Sequence, residues 1–412
     1  MLTYDSNITR SQDTPLPQWT ESLMAGAAYQ ESTADVNARF LGQVERRHYL
    51  EGAFKDDNTI YVDGSVLWSI VPQRLNWIAE DYGREVRLDI TAPDTPTNRT
   101  TVNSFSTGPD TNFRLSSTDF AQFGARYGRY DITGPGDYYR YEGYARLGHQ
   151  FSPFTTLSLN YVPVLAYLDP TTSPYSTVLR EDYFVHYDSH SIANSLVLEA
   201  GTTHLTREGG TPLNGRLLRG SYARTMTSTS SLRLLYSENY SDTYTDLLGQ
   251  VRSVMTPAEQ APLAPLPGTV ATTQDPNLYF SRRGDVNYVE QGDRLGYSVR
   301  GYYRSVDYLT LPQDYYERGG LFDWSWQFAG ETRVGGQVVY IRRTFTSFFQ
   351  EDVERLATLG ATYRFTPNIT FTLTGAKQDR ETTAATGAFK DWRVTFLVGY
   401  STGALFPVQS RR

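Results

Sequence analysis

The stretch NITFTLTGAKQDRET, residues 368–382, alternates Ile369, Phe371 and Leu373 with Thr370, Thr372 and Thr374, then turns polar and charged. Successive side chains on a strand point to opposite faces. One face is therefore apolar, the other carries hydroxyls, and neither resembles the Lys- and Glu-rich outside of a soluble sandwich. The same split recurs along the chain. In TTLSLNYVPVLAYLD (residues 155–169), Leu157, Leu159, Tyr161, Pro163, Leu165 and Tyr167 oppose Thr156, Ser158 and Asn160. In YRYEGYARLGHQF (residues 139–151), Tyr139, Tyr141, Leu147 and Phe151 oppose Arg140, Glu142 and Arg146. Around residues 294–304, 321–329 and 391–400 the apolar set again faces away from Arg, Asp and Gln.

These segments run to 10–16 residues, against about 5–6 for an ordinary globular strand. A transmembrane strand needs roughly 9–11 residues. Connections alternate in length as well. Short ones fall near residues 32–36, 72–74, 117–119, 152–154, 228–231, 292–293, 330–331 and 366–368, with longer polar ones between them. Alternation of this kind marks an up-and-down barrel with short periplasmic turns and long extracellular loops. The fold expected is all-β: a transmembrane antiparallel barrel of 18–20 strands over residues 1–403, with a tail at 404–412. Residues 75–119 and 181–208 leave the count open. Residues 249–277, rich in proline, form a long loop that is either extracellular or folded inward.

Composition agrees. Of 412 residues, 31 are Tyr and none is Cys; Lys occurs only at 55, 377 and 390, so 35 of the 38 basic residues are Arg. Arg and Tyr both offer flat faces with hydrogen-bond donors, which suits a pore lining or a sugar-binding surface. A net charge of -7 argues against nucleic-acid binding. No run approaches the 18 or so apolar residues of a membrane helix. Met1 reads as an added start on a mature chain whose export signal has been removed.

A charge on the lipid face near the midplane costs about 2–4 kcal/mol, so the parity of the charges identifies the lumen. Arg39, Glu45, Arg47, Asp63, Arg126, Arg140, Glu142, Arg146, Arg294, Arg300, Arg304, Asp323, Arg364 and Arg393 are expected to line it. Both signs occur, so pairing across neighbouring strands is the ordinary fate of any one of them. His186, Asp188 and His190 in HYDSH share a face and form a weak metal candidate; a polar luminal face is the plainer reading. Ser191 and Ser195 beside His190 lack the elbow and oxyanion arrangement of a hydrolase. KDDN at 55–58 lacks the ligand spacing of a calcium loop. No enzyme chemistry and no cofactor is expected.

Three pieces resemble the β-barrel porin-2 group, which includes outer-membrane proteins linked to exopolysaccharide and PEP-CTERM loci. They are YDSNITRS (Tyr4–Ser11), NSFSTGPDTNFRLSSTDFAQFGARYGRY (Asn103–Tyr130) and LATLGATYRFTPNITFTLT (Leu356–Thr374). The general layout matches across nearly the whole chain. The resemblance implies a bacterial outer-membrane barrel beside polysaccharide assembly machinery, and it supplies no catalytic residues. The expected function is a passive conduit for a secreted exopolysaccharide. The alternatives are a diffusion porin for small solutes and an adhesive barrel plugged by its own loops. Expected partners are outer-membrane lipid and lipopolysaccharide, the glycan or solute in the lumen, and periplasmic export proteins. A TonB-type transporter is disfavoured, because no plug domain is read before the first strand.

Overall fold

The computed structural model describes residues 1–402 except 134–136, 169–174, 243–244, 246–277 and 310. The expected loop 249–277 and the tail 404–412 lie outside the described residues. The chain forms a single 20-stranded antiparallel sheet closed on itself. In order, the first ten strands are β1 (Leu2–Asp5), β2 (Gln18–Ser32), β3 (Val36–Tyr49), β4 (Asp57–Val71), β5 (Leu75–Arg87), β6 (Arg99–Arg114), β7 (Asp119–Ile132), β8 (Tyr138–Ser152), β9 (Thr155–Tyr167) and β10 (Thr177–His190). The second ten are β11 (Asn194–Arg207), β12 (Leu213–Thr225), β13 (Ser230–Asp242), β14 (Leu278–Gln291), β15 (Leu295–Tyr308), β16 (Tyr315–Ala329), β17 (Thr332–Phe345), β18 (Glu351–Arg364), β19 (Ile369–Thr382) and β20 (Phe389–Tyr400). The count left between 18 and 20 is therefore 20, and both uncertain stretches supply strand pairs.

Each strand pairs with its sequence neighbours, and β1 joins β2 to β20. β1 is short, so this seam is hydrogen-bonded only near the long-loop end. Below Leu2 no strand pairing joins the facing edges of β2 and β20 among the described residues. Tyr4 clasps the seam from outside, with its ring 5.0 Å from Trp19 and 4.9 Å from Trp392.

The outer face is apolar along its length: Leu373 is 54 %, Phe396 45 % and Val398 51 % exposed. A belt of such side chains on every wall strand cannot face water; it is the surface a transmembrane barrel presents to hydrocarbon. Aromatic residues rim it. Trp68, Trp77, Phe113, Phe151, Phe328, Tyr363 and Tyr400 stand near the short turns, and Trp19, Tyr139, Tyr316, Tyr340 and Trp392 near the long loops. The buried residues lie inside the barrel, chiefly in its long-loop half, where three apolar clusters occupy the interior.

In β19 the register bears out the opening stretch. Thr372 faces inward and its hydroxyl lies 3.1 Å from that of Thr362 on β18, while Leu373 points out.

Candidate functional site

The lumen begins as a polar wall. Arg126 Nη2 donates to Asp110 at 2.7 Å, and Arg146 Nε donates to Asn160 Oδ1 at 2.7 Å. His186 and Arg219 share Glu199 at 2.9 and 3.0 Å. Arg393 lies 3.4 Å from Asp391 and 3.9 Å from Asp5. Arg39, Glu45, Asp63, Glu142, Asp323 and Arg364 fall on the inward parity of their strands, as do Arg47, Arg140, Arg300 and Arg304. Arg294 departs from this set. It sits exposed in the turn before β15, where no inward parity exists.

Two strand pairs lean into the interior, and one of them crosses it. The first is β5–β6. Its pairing with β4 ends at Val62↔Gly83, although β5 continues to Arg87. Beyond that point the hairpin leans on β7 and β8, burying Tyr82, Val86 and Val102 against Tyr130, Ile132 and Tyr138. The connection 88–98 is tied to itself. Thr91 N–H and Oγ1 donate to Asp89 Oδ1 at 2.8 and 2.7 Å, and Asn98 Nδ2 donates to the carbonyls of Asp89 and Pro93, each at 2.8 Å. A short 3-10 helix, Pro96–Asn98, leads back into β6.

That stiff tip reaches the far wall. Ile90, 1 % exposed, packs among Tyr279, Val306, Tyr315 and Phe345 of β14 to β17. In a ring of 20 strands, β15 lies opposite β5, so Ile90 spans the lumen. The Thr91 carbonyl accepts from Arg380 Nη2 at 2.5 Å and Gln350 Nε2 at 3.3 Å. Arg87 Nη1 lies 3.5 Å from Glu354 on β18, and Arg380 binds Asp352 at 2.6 Å. On the other flank Arg99 bridges Asp94 (2.7 Å) and Glu85 (3.1 Å). Glu85 in turn meets Arg47 at 2.7 Å, and Arg10 stands 3.6 Å from Asp94. Burial would raise the Asp94 carboxyl, but Arg99 and Arg10 outweigh it and hold that group well below the usual carboxylate range.

The second hairpin is β13–β14. Pairing with β12 ends at Leu218↔Glu238, and the strand runs on to Asp242. Its end turns inward. Asp242 accepts from Arg140 Nη1 at 3.0 Å, the Tyr240 carbonyl accepts from Arg180 Nη1 at 3.3 Å, and the Tyr240 ring buries against Val178 and Leu205. The β13 flank of the long loop therefore leans into the barrel, while β14 stays paired with β15 as far as Tyr279.

Residues 91–100, TAPDTPTNRT, read in the sequence as one of the longer polar connections. A usable signal was nonetheless present. Glu85, Arg87 and Arg99 fall on the lipid-facing parity of β5 and β6. Three charges on that parity close to one connection are a signal that the strands leave the wall there.

The weaker chemical candidates do not assemble. Among the described residues no group of three or more His, Cys, Asp and Glu is placed to hold a metal. His186 is turned to Glu199, and His190 lies 3.9 Å from Asp188. Same-face neighbours on a strand stand about 7 Å apart, too far to share one ion without help from another strand. Ser191 Oγ donates to the Asn194 carbonyl at 3.4 Å. In KDDN, Asp56 is engaged by His48 and Asp57 by Arg47.

No family model and no curated protein matches the chain. Among solved structures it is similar to the siderophore receptor PirA from Pseudomonas aeruginosa, with a TM-score of 0.48 and 10% identity over 97% of this chain and 79% of that one. The FrpB iron transporter from Neisseria meningitidis gives a TM-score of 0.48 and 9% identity over 97% and 80%. A mutant of the ferric enterobactin receptor PfeA from Pseudomonas aeruginosa gives 0.47 and 9% over 97% and 80%.

Proposed function

We propose that this chain is a bacterial outer-membrane channel, a passive conduit for a secreted exopolysaccharide that is held closed at rest by its inward hairpins. The observation that carries the reading is the lumen itself. Twenty strands enclose an interior too wide to be filled by wall side chains. What crosses it is a discrete hairpin docked on the far wall, whose displacement would leave a polar bore lined by Arg, Tyr and Asn. Weak contacts at many sites let an extended glycan slide without a strong trap. The resemblance to the porin-2 group adds the exopolysaccharide to this reading, and delivery would fall to periplasmic partners.

A second reading, a diffusion porin for small solutes, draws on the same hairpin. A constriction carrying both signs of charge, fixed in place, is also how a wall-anchored loop would narrow a pore. Planar-bilayer recording separates the two. A closed or intermittently gated pore that glycans block supports the conduit; a large steady conductance indifferent to oligosaccharide supports the porin. Secretion left unchanged by a clean deletion would refute the conduit.

A further inference from the structure

The luminal wall is not evenly charged, and one place on it holds a guanidinium with nothing to bind. Arg233 faces inward from β13, and its Nε and Nη2 are buried without a hydrogen-bond partner. Directly opposite it on β14 is Asn287, and directly opposite Asn287 on β15 is Arg300. Two strand spacings put the Cα atoms of the two arginines about 10 Å apart, with the amide between them. The charged group that Arg233 feels is Arg300, a like charge.

Arg300 is already committed. Its Nη2 donates to Asp285 Oδ1 at 2.7 Å, and Arg283 Nε takes the other oxygen of the same carboxylate at 2.5 Å. Asp285 is thus shared by two guanidiniums, and neither Nε nor Nη2 of Arg233 bonds to it. Arg283 is in turn directly opposite Arg304, again a like pair. Asp323, the next carboxylate along this face, is hydrogen-bonded by Ser298. Arg304 has Glu317 directly opposite on β16, which leaves Arg233, Arg283 and Arg300 to meet Asp285 and Asp323. Like charges directly opposite are unfavourable in a sheet, and a buried guanidinium left unpaired costs several kcal/mol. A site of this kind waits for an anion.

We propose that the Arg233–Asn287–Arg300 row is a carboxylate-binding subsite, so that the conduit's glycan is an acidic one built from uronate residues. The inference rests on the channel reading and narrows its substrate class. A uronate carboxylate would accept two N–H bonds from Arg233, the geometry in which a planar guanidinium outperforms an ammonium. The Asn287 amide stands beside it for a sugar hydroxyl. Arg300, held by Asp285, adds positive potential without closing over the site.

The test titrates the full chain in detergent with trigalacturonate and with maltotriose, as wild type, Arg233→Gln, Arg233→Lys and the outward-facing Arg318→Gln. Trigalacturonate is expected to bind wild type and Arg318→Gln alike and to weaken as salt rises. Arg233→Gln should lose at least about ten-fold and Arg233→Lys part of that, with maltotriose much weaker throughout. Equal binding of the two sugars, or salt-independent binding to wild type, overturns the proposal even if Arg233→Gln fails to fold. So does unaltered trigalacturonate affinity in a folded Arg233→Gln. Bilayer conductance of wild type is the separate check on the channel: no conductance refutes the channel reading, whereas a conducting pore blocked equally by both sugars refutes only the acidic class.

Discussion

Replacing Ile90 by Ala removes the apolar anchor by which the β5–β6 hairpin holds the far wall, while leaving the wall intact. Ile90 is 1 % exposed among Tyr279, Val306, Tyr315 and Phe345. Truncation of a buried Ile to Ala typically costs about 2–5 kcal/mol. Here the loss falls on docking, since an undocked tip would leave the side chain in the water-filled lumen in either variant. Even about 2 kcal/mol lowers the ratio of docked to undocked hairpin roughly 30-fold. The tip's own bonds, from Thr91 to Asp89 and from Asn98 to Pro93, do not involve Ile90 and should persist. Single-channel recording is the assay. Openings in Ile90→Ala are expected to be at least ten times more frequent or longer than in wild type, at unchanged unit conductance. Ile192→Ala, in the exposed turn between β10 and β11, is the control and should match wild type. If Ile90→Ala and wild type show the same open fraction, the hairpin is not a gate held by that contact. A change in unit conductance without a change in open fraction would instead mark a fixed constriction.

Other expectations follow from the wall and the seam. Tyr4→Ala removes two aromatic contacts worth about 0.5–1.5 kcal/mol each, so the heat-induced shift in gel mobility should occur several degrees lower; an unchanged midpoint would mean that the seam is held elsewhere. Leu373→Arg should impair folding into liposomes by about 2–4 kcal/mol, whereas Thr372→Arg, one residue away, should be tolerated; equal penalties would contradict the assigned faces. The Asp94 carboxyl is held low by Arg99 and Arg10. A depressed carboxylate stabilises the state that holds it at every pH above its ordinary value of about 3.9, and the contribution disappears as pH falls through the lower folded value. Asp94 should accordingly contribute equally to docking between pH 5 and 8 and progressively less below about pH 4, and an open fraction that does not rise on acidification below that point would exclude Asp94 as an anchor.

Parity carried most of what the sequence could tell. Alternation in residues 368–382 identifies which of Thr372 and Leu373 meets water, and the same rule places Arg126, Arg140, Arg146 and Arg393 inside. The rule fails where a strand stops belonging to the wall. Arg294 keeps the right parity on paper but sits in a turn. Glu85, Arg87 and Arg99 have the wrong parity for a wall, because β5 and β6 continue as a hairpin after β4 has let go. Nothing local in residues 90–100 announces a partner ten strands away round the barrel, since Ile90 finds Val306 through closure of the whole sheet. Arg233 was equally hidden. Its meaning depends on what Asn287, Asp285 and Arg300 do on neighbouring strands, which only register reveals.

The hairpin is tied by two kinds of contact, and they do different work. Moving it into a hydrated bore would solvate Arg87, Glu354, Glu85 and Arg47, so broken ion pairs there recover much of their energy from water. Apolar contacts have no such recourse: Ile90, Val86 and Val102 lose their burial outright. The ionic contacts therefore fix where the tip docks, and the apolar clusters fix how firmly. Salt tests this division. Raising ionic strength from about 0.1 to 1 M shortens the Debye length from about 10 to 3 Å, which weakens the partly exposed pairs that hold the hairpin, such as Arg47–Glu85 and Arg10–Asp94. The apolar clusters are not screened at all. Wild type should change its open fraction less than about two-fold across that range, and Ile90→Ala should stay open at either end of it. A steep opening of wild type with salt would reverse the assignment, making the guanidinium network the latch and Ile90 a bystander.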